Sequence, residues 1–220
     1  PRISISVFSG CSSLTSINVG PNNPNYASVD GVLYNKDLTT LIQCPRGKSG
    51  EYAIPDTVRY IDDNALYQCI SLTSVTIPDS VTSIGISAFS GCTSLTSVTI
   101  PDNVRSIDQL AFSQCSSLES IMIPDSVTSI GVRAFYQCSS LTSIIIPDSV
   151  TSIGDSTFSG CSSLESVTIG NGVTSISDYA FSDCTSLTSI TIPDSVTYIS
   201  DYAFSRSEEH TSELQSHHDL

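Results

Sequence analysis

The chain reads as an α/β repeat solenoid in which each rung of 23 residues supplies one short parallel β-strand and one short helical turn. Two observations lead there. Cysteines recur at 69, 92, 115, 138, 161 and 184, and each is followed three residues later by a leucine: Leu72, Leu95, Leu118, Leu141, Leu164 and Leu187. The same register carries phenylalanines at 89, 112, 135, 158, 181 and 204 and isoleucines at 77, 100, 123, 146, 169 and 192. A fixed period of this length overrides any window-by-window assignment, because it marks one supersecondary unit stacked on copies of itself.

Each element of the rung follows from its residues. In LTSVTIP, Val75 and Ile77 alternate with polar Ser74 and Thr76, the pattern of a short half-buried strand. Pro78 ends it, since a residue without an N–H cannot continue a ladder. The following Asp-Ser favours a type I turn with the proline at its second position. Val81 and Ile84, three apart, point inward. Asp62, Gly85, Asp108, Gly131, Gly154, Ser177 and Ser200 then share one register position, and all are residues that start helices as N-caps. A helical turn carrying Ala88 and Phe89 closes the rung before Cys92. One unit cannot bury its apolar edge alone, so rungs stack at about 4.8 Å, and eight or nine of them make a body roughly 40 Å long.

The full unit, IPDSVTSIGxxAFSGCSSLTSVT, resembles the BspA-like class of 23-residue leucine-rich repeats, and its L-x-x-[VI]-x-I half matches the leucine-rich-repeat strand. The resemblance covers residues 1–205 and implies a right-handed coil. Residues 20–54 depart from the simple unit. Asp30-Gly31 is a two-residue hairpin signal between apolar alternations, and a second turn at Asn35–Leu38 makes a three-stranded meander protruding from the coil. Residues 20–54 are therefore one elaborated, hairpin-bearing repeat within a 1–205 solenoid.

After Phe204 the period stops. Residues 206–220 contain all three histidines, His210, His217 and His218, and Arg206–Ser216 resembles the translation of a common sequencing-library adapter. This stretch is read as a non-native or disordered tail and set aside. Without it the body holds 7 basic and 18 acidic residues, a net charge of −11 instead of −14. Such an excess of acid excludes a nucleic-acid binder, which needs clustered Lys and Arg, and disfavours an anionic membrane surface. No apolar run is long enough for a spanning helix. The only methionine is Met122, and no leader is present, so the chain reads as an internal fragment.

Candidate chemistry is sparse. No C-x-x-C pair or accompanying histidine suggests metal or redox work, so the cysteine column reads as inert core thiols. Cys44 stands outside that column, in the hairpin, where exposure is expected. Asp56, Asp79, Asp102, Asp125, Asp148 and Asp194 form a second column, with Asn171 in the gap. Carboxylates stacked at rung spacing invite calcium, but no multidentate loop accompanies them, and each reads as a solvated turn cap. Serines abound without histidine, and only Lys36 and Lys48 are possible lysine partners, so no nucleophile–base pair emerges. No catalytic, cofactor-binding or metal residues are assigned, no cofactor is expected, and the chain is read as not an enzyme.

The exposed strand positions carry the functional expectation. They are hydroxylated throughout except at Met122 and Ile145, on neighbouring rungs, where the other complete rungs have threonine. Ser120, Met122, Ser143 and Ile145, flanked by Thr99 and Thr168, form the candidate partner-binding patch, with the hairpin around Tyr34 as a second contact. The expected function is a non-catalytic binding or adhesion module presenting an extended face to a protein or glycan partner. Resemblance to BspA-like proteins implies a microbial cell-surface or secreted protein that attaches to host matrix proteins or other cells. Two other readings stay open: a structural stalk, or substrate-recognition repeats of an enzyme whose catalytic domain lies elsewhere. Oligomeric state is not indicated.

Overall fold

A computed structural model of the chain describes residues 7, 8 and 10–207. The expected start of the solenoid at residues 1–6 and the tail from residue 208 lie outside the described residues. The strands are β1 (Tyr26–Val29), β2 (Val32–Asn35), β3 (Thr40–Gln43), β4 (Ser49–Ala53), β5 (Tyr60–Ile61), β6 (Ser71–Thr76), β7 (Ser83–Ile84) and β8 (Ser97–Thr99). They continue as β9 (Ser106–Ile107), β10 (Ser120–Met122), β11 (Ser129–Ile130), β12 (Ser143–Ile146), β13 (Ser152–Ile153), β14 (Ser166–Ile169), β15 (Ser175–Ile176) and β16 (Tyr198–Ile199). The result is a β-solenoid of leucine-rich-repeat type with about seven turns. That is fewer than the eight or nine expected, because residues 26–43 form a meander in place of a regular rung.

From β4 to β15 each rung contributes a longer strand and a two-residue strand, on opposite sides of a Pro-Asp turn or, between β14 and β15, of Gly170-Asn171. The longer strands stack in parallel as β4-β6-β8-β10 and, separately, β12-β14. The short ones stack as β3-β5-β7-β9-β11-β13-β15-β16. Pairing is in register with the repeat: Val75 opposes Val98, and Ile84 opposes Ile107. Every side chain therefore meets its own equivalent one rung away. The short second strand is hidden in the sequence, since two residues cannot display an alternation.

The expected helical turn is absent from the described residues. The hydrogen bonds of the segment after β7 show why. The amides of Ala88, Ser90 and Cys92 bond back to the carbonyls of Gly85, Ser87 and Phe89, whereas those of Ser87, Phe89 and Gly91, lying between them, reach forward to Gln109, Ala111 and Ser113 of the next rung. A helix needs consecutive amides to bond within its own segment. Here every second one is given to the neighbour, and the chain makes a third inter-rung ladder. Ser87 (φ 55°) and Gly91 (φ 76°) are left-handed, as are Leu110/Gln114, Arg133/Gln137, Ser156/Gly160 and Tyr179/Asp183. One such residue every four breaks a right-handed helix.

Two further details of the rung differ from expectation. The Val81 amide donates to the Pro78 carbonyl, so proline holds the first position of the turn and Asp79 the second. The supposed N-cap position has no helix to cap. A Cβ on Gly85 would lie 2.7 Å from the Asp63 amide nitrogen, so rungs approach too closely there for a side chain without a local shift.

The meander forms as the sequence indicates. Val29 pairs with Val32 across Asp30 (φ 49°) and Gly31 (φ 75°), both left-handed as a primed two-residue turn requires. At the second turn the Asn35 carboxamide oxygen accepts from the amides of Thr39 and Thr40. The meander does not protrude, however. β3 pairs in parallel with β5, so the antiparallel strands continue the short-strand sheet. Where the elaborated repeat joins the array, the offset between β4 and β6 slips from 22 to 23 residues at a bulge after Gly50, whose φ is 77°.

The interior is a set of stacked columns. Phe89, Phe112, Phe135, Phe158, Phe181 and Phe204 stack with centroids 5.0–5.6 Å apart and planes within 12° of parallel. Full burial of each ring is worth about 2–3 kcal/mol. Among the described residues, every buried side-chain nitrogen and oxygen has a partner. Thr157, standing in the alanine column, donates its hydroxyl to the Gly154 carbonyl. The coil is followed through Ser207, which occupies the register position of Cys184, with Arg206 3.9 Å from Asp183. The first two residues assigned to the tail therefore lie on the last turn.

Candidate functional site

The longer strands present their outward residues on one face. In β10, Ser120 and Met122 are exposed around buried Ile121; in β12, Ser143 and Ile145 are exposed around buried Ile144. This alternation follows from the strand pleat, which sends every second side chain outward. Met122 is 70% and Ile145 66% exposed, the two largest values among the exposed large apolar side chains described. Thr99 pairs with Met122 across β8 and β10, and Thr168 with Ile145 across β12 and β14. Met122 and Ile145 thus lie on either side of the break between the two stacks of longer strands.

Six of the seven candidate residues are brought together in this way, and Tyr34 is not. Tyr34 is fully buried, its hydroxyl hydrogen-bonded to that of Tyr52, so it offers nothing to a partner. The inward side of β2 packs on the core instead of projecting with a free hairpin. Burial pushes the Tyr34 phenol up to about 12. Lys48 lies 5.1 Å from the Tyr52 ring centroid and donates to the Asp30 carbonyl, holding the hairpin turn against β4.

Cys44 is also buried, not exposed. Cys69 donates toward its carbonyl, so Cys44 begins the thiol column. Further along, the thiols of Cys92, Cys115, Cys138, Cys161 and Cys184 each donate to a carbonyl 26 residues earlier, from Leu66 to Phe158. Desolvation raises Cys92, Cys115 and Cys161 well above the ordinary thiol range and takes Cys138 and Cys184 to about 12. A thiol kept protonated is a poor nucleophile and metal ligand. Among the described residues, no three His, Cys, Asp or Glu side chains gather where they would hold a metal ion.

Two features beside the patch escaped sequence reasoning. Next to Ile145 lies a groove of about 500 Å³ bounded by Thr168, Asp125 and Asp148. It lies where Gly170 and Asn171 replace the Pro-Asp pair, the one signal in the sequence that marked it. The Asp148 carboxylate accepts from the Asn171 amide at 2.6 Å. The second feature is the role of the hydroxyls. Ser80, Ser126 and Ser195 donate to the Val58, Val104 and Val173 carbonyls of the preceding rung at 2.6–2.7 Å. Much of the Ser/Thr content therefore ties rungs together.

Comparison with known proteins follows the same lines. The profile of the BspA type leucine rich repeat region matches in 6 copies over residues 46–165 and 128–218. The chain belongs to this family. Its structure is similar to that of a leucine-rich repeat protein from Eubacterium ventriosum, with 31% identity, a TM-score of 0.80, and 93% of this chain and 56% of that one covered. A leucine rich cell surface protein from Faecalibacterium prausnitzii shares 36% identity, with a TM-score of 0.69 over 74% of this chain and 43% of that one. A leucine rich repeat protein of T. pallidum shares 32% identity at a TM-score of 0.69, covering 83% and 86% of the two chains. This leucine-rich repeat chain thus spans about half the length of the first two. Comparison with curated protein sequences gives no match. Among the described residues, no helix is long and apolar enough to cross a membrane.

Proposed function

We propose that this leucine-rich repeat region is a non-catalytic binding module of a cell-surface or secreted bacterial protein, and that it engages a protein partner through the longer-strand face. The observation that carries this reading is the pair Met122 and Ile145, more than 60% exposed on neighbouring rungs of an otherwise hydroxylated face. Apolar side chains of this kind, rimmed by polar residues, anchor protein interfaces. Ser120, Ser143, Thr99 and Thr168 supply the rim. Asp125 and Asp148, in the groove beside Ile145, favour a partner with a basic residue next to its apolar one. The cell-surface description of the Faecalibacterium relative supports an outward-facing location.

The test is surface-plasmon binding to a panel of extracellular-matrix proteins. Replacing Met122 and Ile145 together by threonine, the residue of the other rungs, should weaken partner binding about tenfold or more, the loss of one good apolar anchor, while leaving the melting temperature within a degree or so. Undiminished binding by the double variant removes the patch. Failure to bind any protein of the panel favours the stalk reading.

A further inference from the structure

A second concavity lies at the opposite end of the rung from the Pro-Asp turn, where the turn segment bends into the next longer strand. Its volume is about 610 Å³, and its lining runs from Thr93 to Asp183 over five successive rungs. It shares no residue with the Met122–Ile145 patch. We propose that this groove binds a neutral oligosaccharide chain, an activity separate from the protein contact above.

The groove exists because of one column. Gln68, Gly91, Gln114, Gln137, Gly160 and Asp183 succeed one another at 23-residue intervals, all left-handed. The Gln114 and Gln137 carboxamides form one wall, linked by a 3.2 Å hydrogen bond from Nε2 of the first to Oε1 of the second. At Gly160 the wall is missing, and the space opens there.

The lining fits sugar chemistry more closely than any charged ligand. A pyranose has an apolar C–H face and a rim of hydroxyls that both donate and accept. Tyr136 provides a part-buried ring, steadied by the Arg133 guanidinium 5.6 Å from its centroid. An aromatic ring of this kind takes an apolar face and keeps a polar tip for the rim. The Gln114–Gln137 bond uses one donor and one acceptor, leaving the acceptor capacity of Gln114 and the two donors of Gln137 for a ligand. Ser116 and Ser139 donate to carbonyls of the preceding rung, at 3.5 and 3.3 Å, so their oxygen lone pairs stay available. Among the described residues, no lysine or arginine lines the space, which argues against phosphate or sulfate. Asp183, the one carboxylate among its described lining residues, already has Arg206 3.9 Å away, which argues against a cationic peptide. Four rung intervals at about 4.8 Å give a length near 19 Å, suited to several sugar units in a row and not to a monosaccharide.

The experiment is an array of neutral and acidic oligosaccharides probed with the whole chain, followed by calorimetric titration of the best neutral binder. Gly160→Gln is the decisive variant. Gln68, Gln114 and Gln137 already occupy this column in the same left-handed conformation, so the substitution extends the wall, at the cost of a left-handed side chain whose Cβ lies 3.0 Å from Cγ of Gln137. It should reduce affinity about tenfold or more while lowering the melt by only a few degrees, the cost of the left-handed side chain. Tyr136→Ala should do likewise, and the Met122→Thr/Ile145→Thr variant should bind the sugar as the original does. Absence of any neutral oligosaccharide ligand, binding of acidic sugars only, or full affinity in Gly160→Gln overturns the proposal. None of these results bears on the protein-binding patch, which is read by its own variant.

Discussion

Gly91 shows how one residue answers to two rungs at once. Its φ of 76° is a conformation that L side chains rarely adopt, and a Cβ there would come 3.0 Å from Cγ of Gln68. Gly91→Ala adds the left-handed penalty and a tight contact, relieved only in part by the mobility of the glutamine. A loss of about 1 kcal/mol is expected, read as a lower urea midpoint with an unchanged slope. Glycine, glutamine and aspartate share this column, and a sequence with no coordinates does not reveal that the position is left-handed. Asp30-Gly31 was legible because a two-residue turn between alternating runs has few conformations to choose from. Tyr34 was not legible as buried, because its strand borrows its cover from Tyr52, 18 residues away.

The columns are the elements of this molecule, and each responds as a unit. Phe135 stacks on Phe112 at 5.6 Å and on Phe158 at 5.4 Å. Phe135→Ala removes a buried ring and both stacking partners, and should cost about 3–5 kcal/mol in chemical denaturation. The thiol column sets a pH limit. Burial holds Cys92, Cys115 and Cys161 protonated well above the ordinary thiol range and Cys138 and Cys184 up to about 12, whereas an unfolded thiol ionises near 9. The unfolded state therefore loses protons first. The contribution is fully present below pH 9 and fades as pH rises toward 12. Urea midpoints should fall between pH 8.5 and 10.5, and fall less steeply in Cys138→Ala; an identical slope in that variant would assign the effect elsewhere. The column was legible from its period, but its hydrogen bonds were not, since they join residues 26 apart across a rung boundary.

At the scale of the whole molecule, stability is the sum of rungs and the contacts between them. Interior rungs are covered on both sides. The last described strand, β16, pairs only with β15, and Tyr198 and Ile199 are 61% and 42% exposed. Hydrogen exchange should show protection highest near β9–β13 and falling toward β16, and a flat profile would contradict the one-dimensional picture. The two candidate surfaces also belong to this scale. Met122 and Ile145 were legible because two substitutions in a strict repeat stand out against it. The Thr93–Asp183 groove was not, because an absent side chain at Gly160 becomes a cavity only when its neighbours are stacked on either side.

The period, the strand face, the hairpin and the family were determined by sequence alone, because a repeat states the same instruction many times and local chemistry needs no partner to be read. Tertiary structure decided that the presumed helix is a ladder of turns, that the hairpin continues a sheet, and that the hydroxyls bind rung to rung. The physical reason is common to all three. Each depends on where a backbone amide or a side-chain hydroxyl finds its acceptor, and in a solenoid that acceptor lies one rung away, where neither propensity nor local pattern reaches.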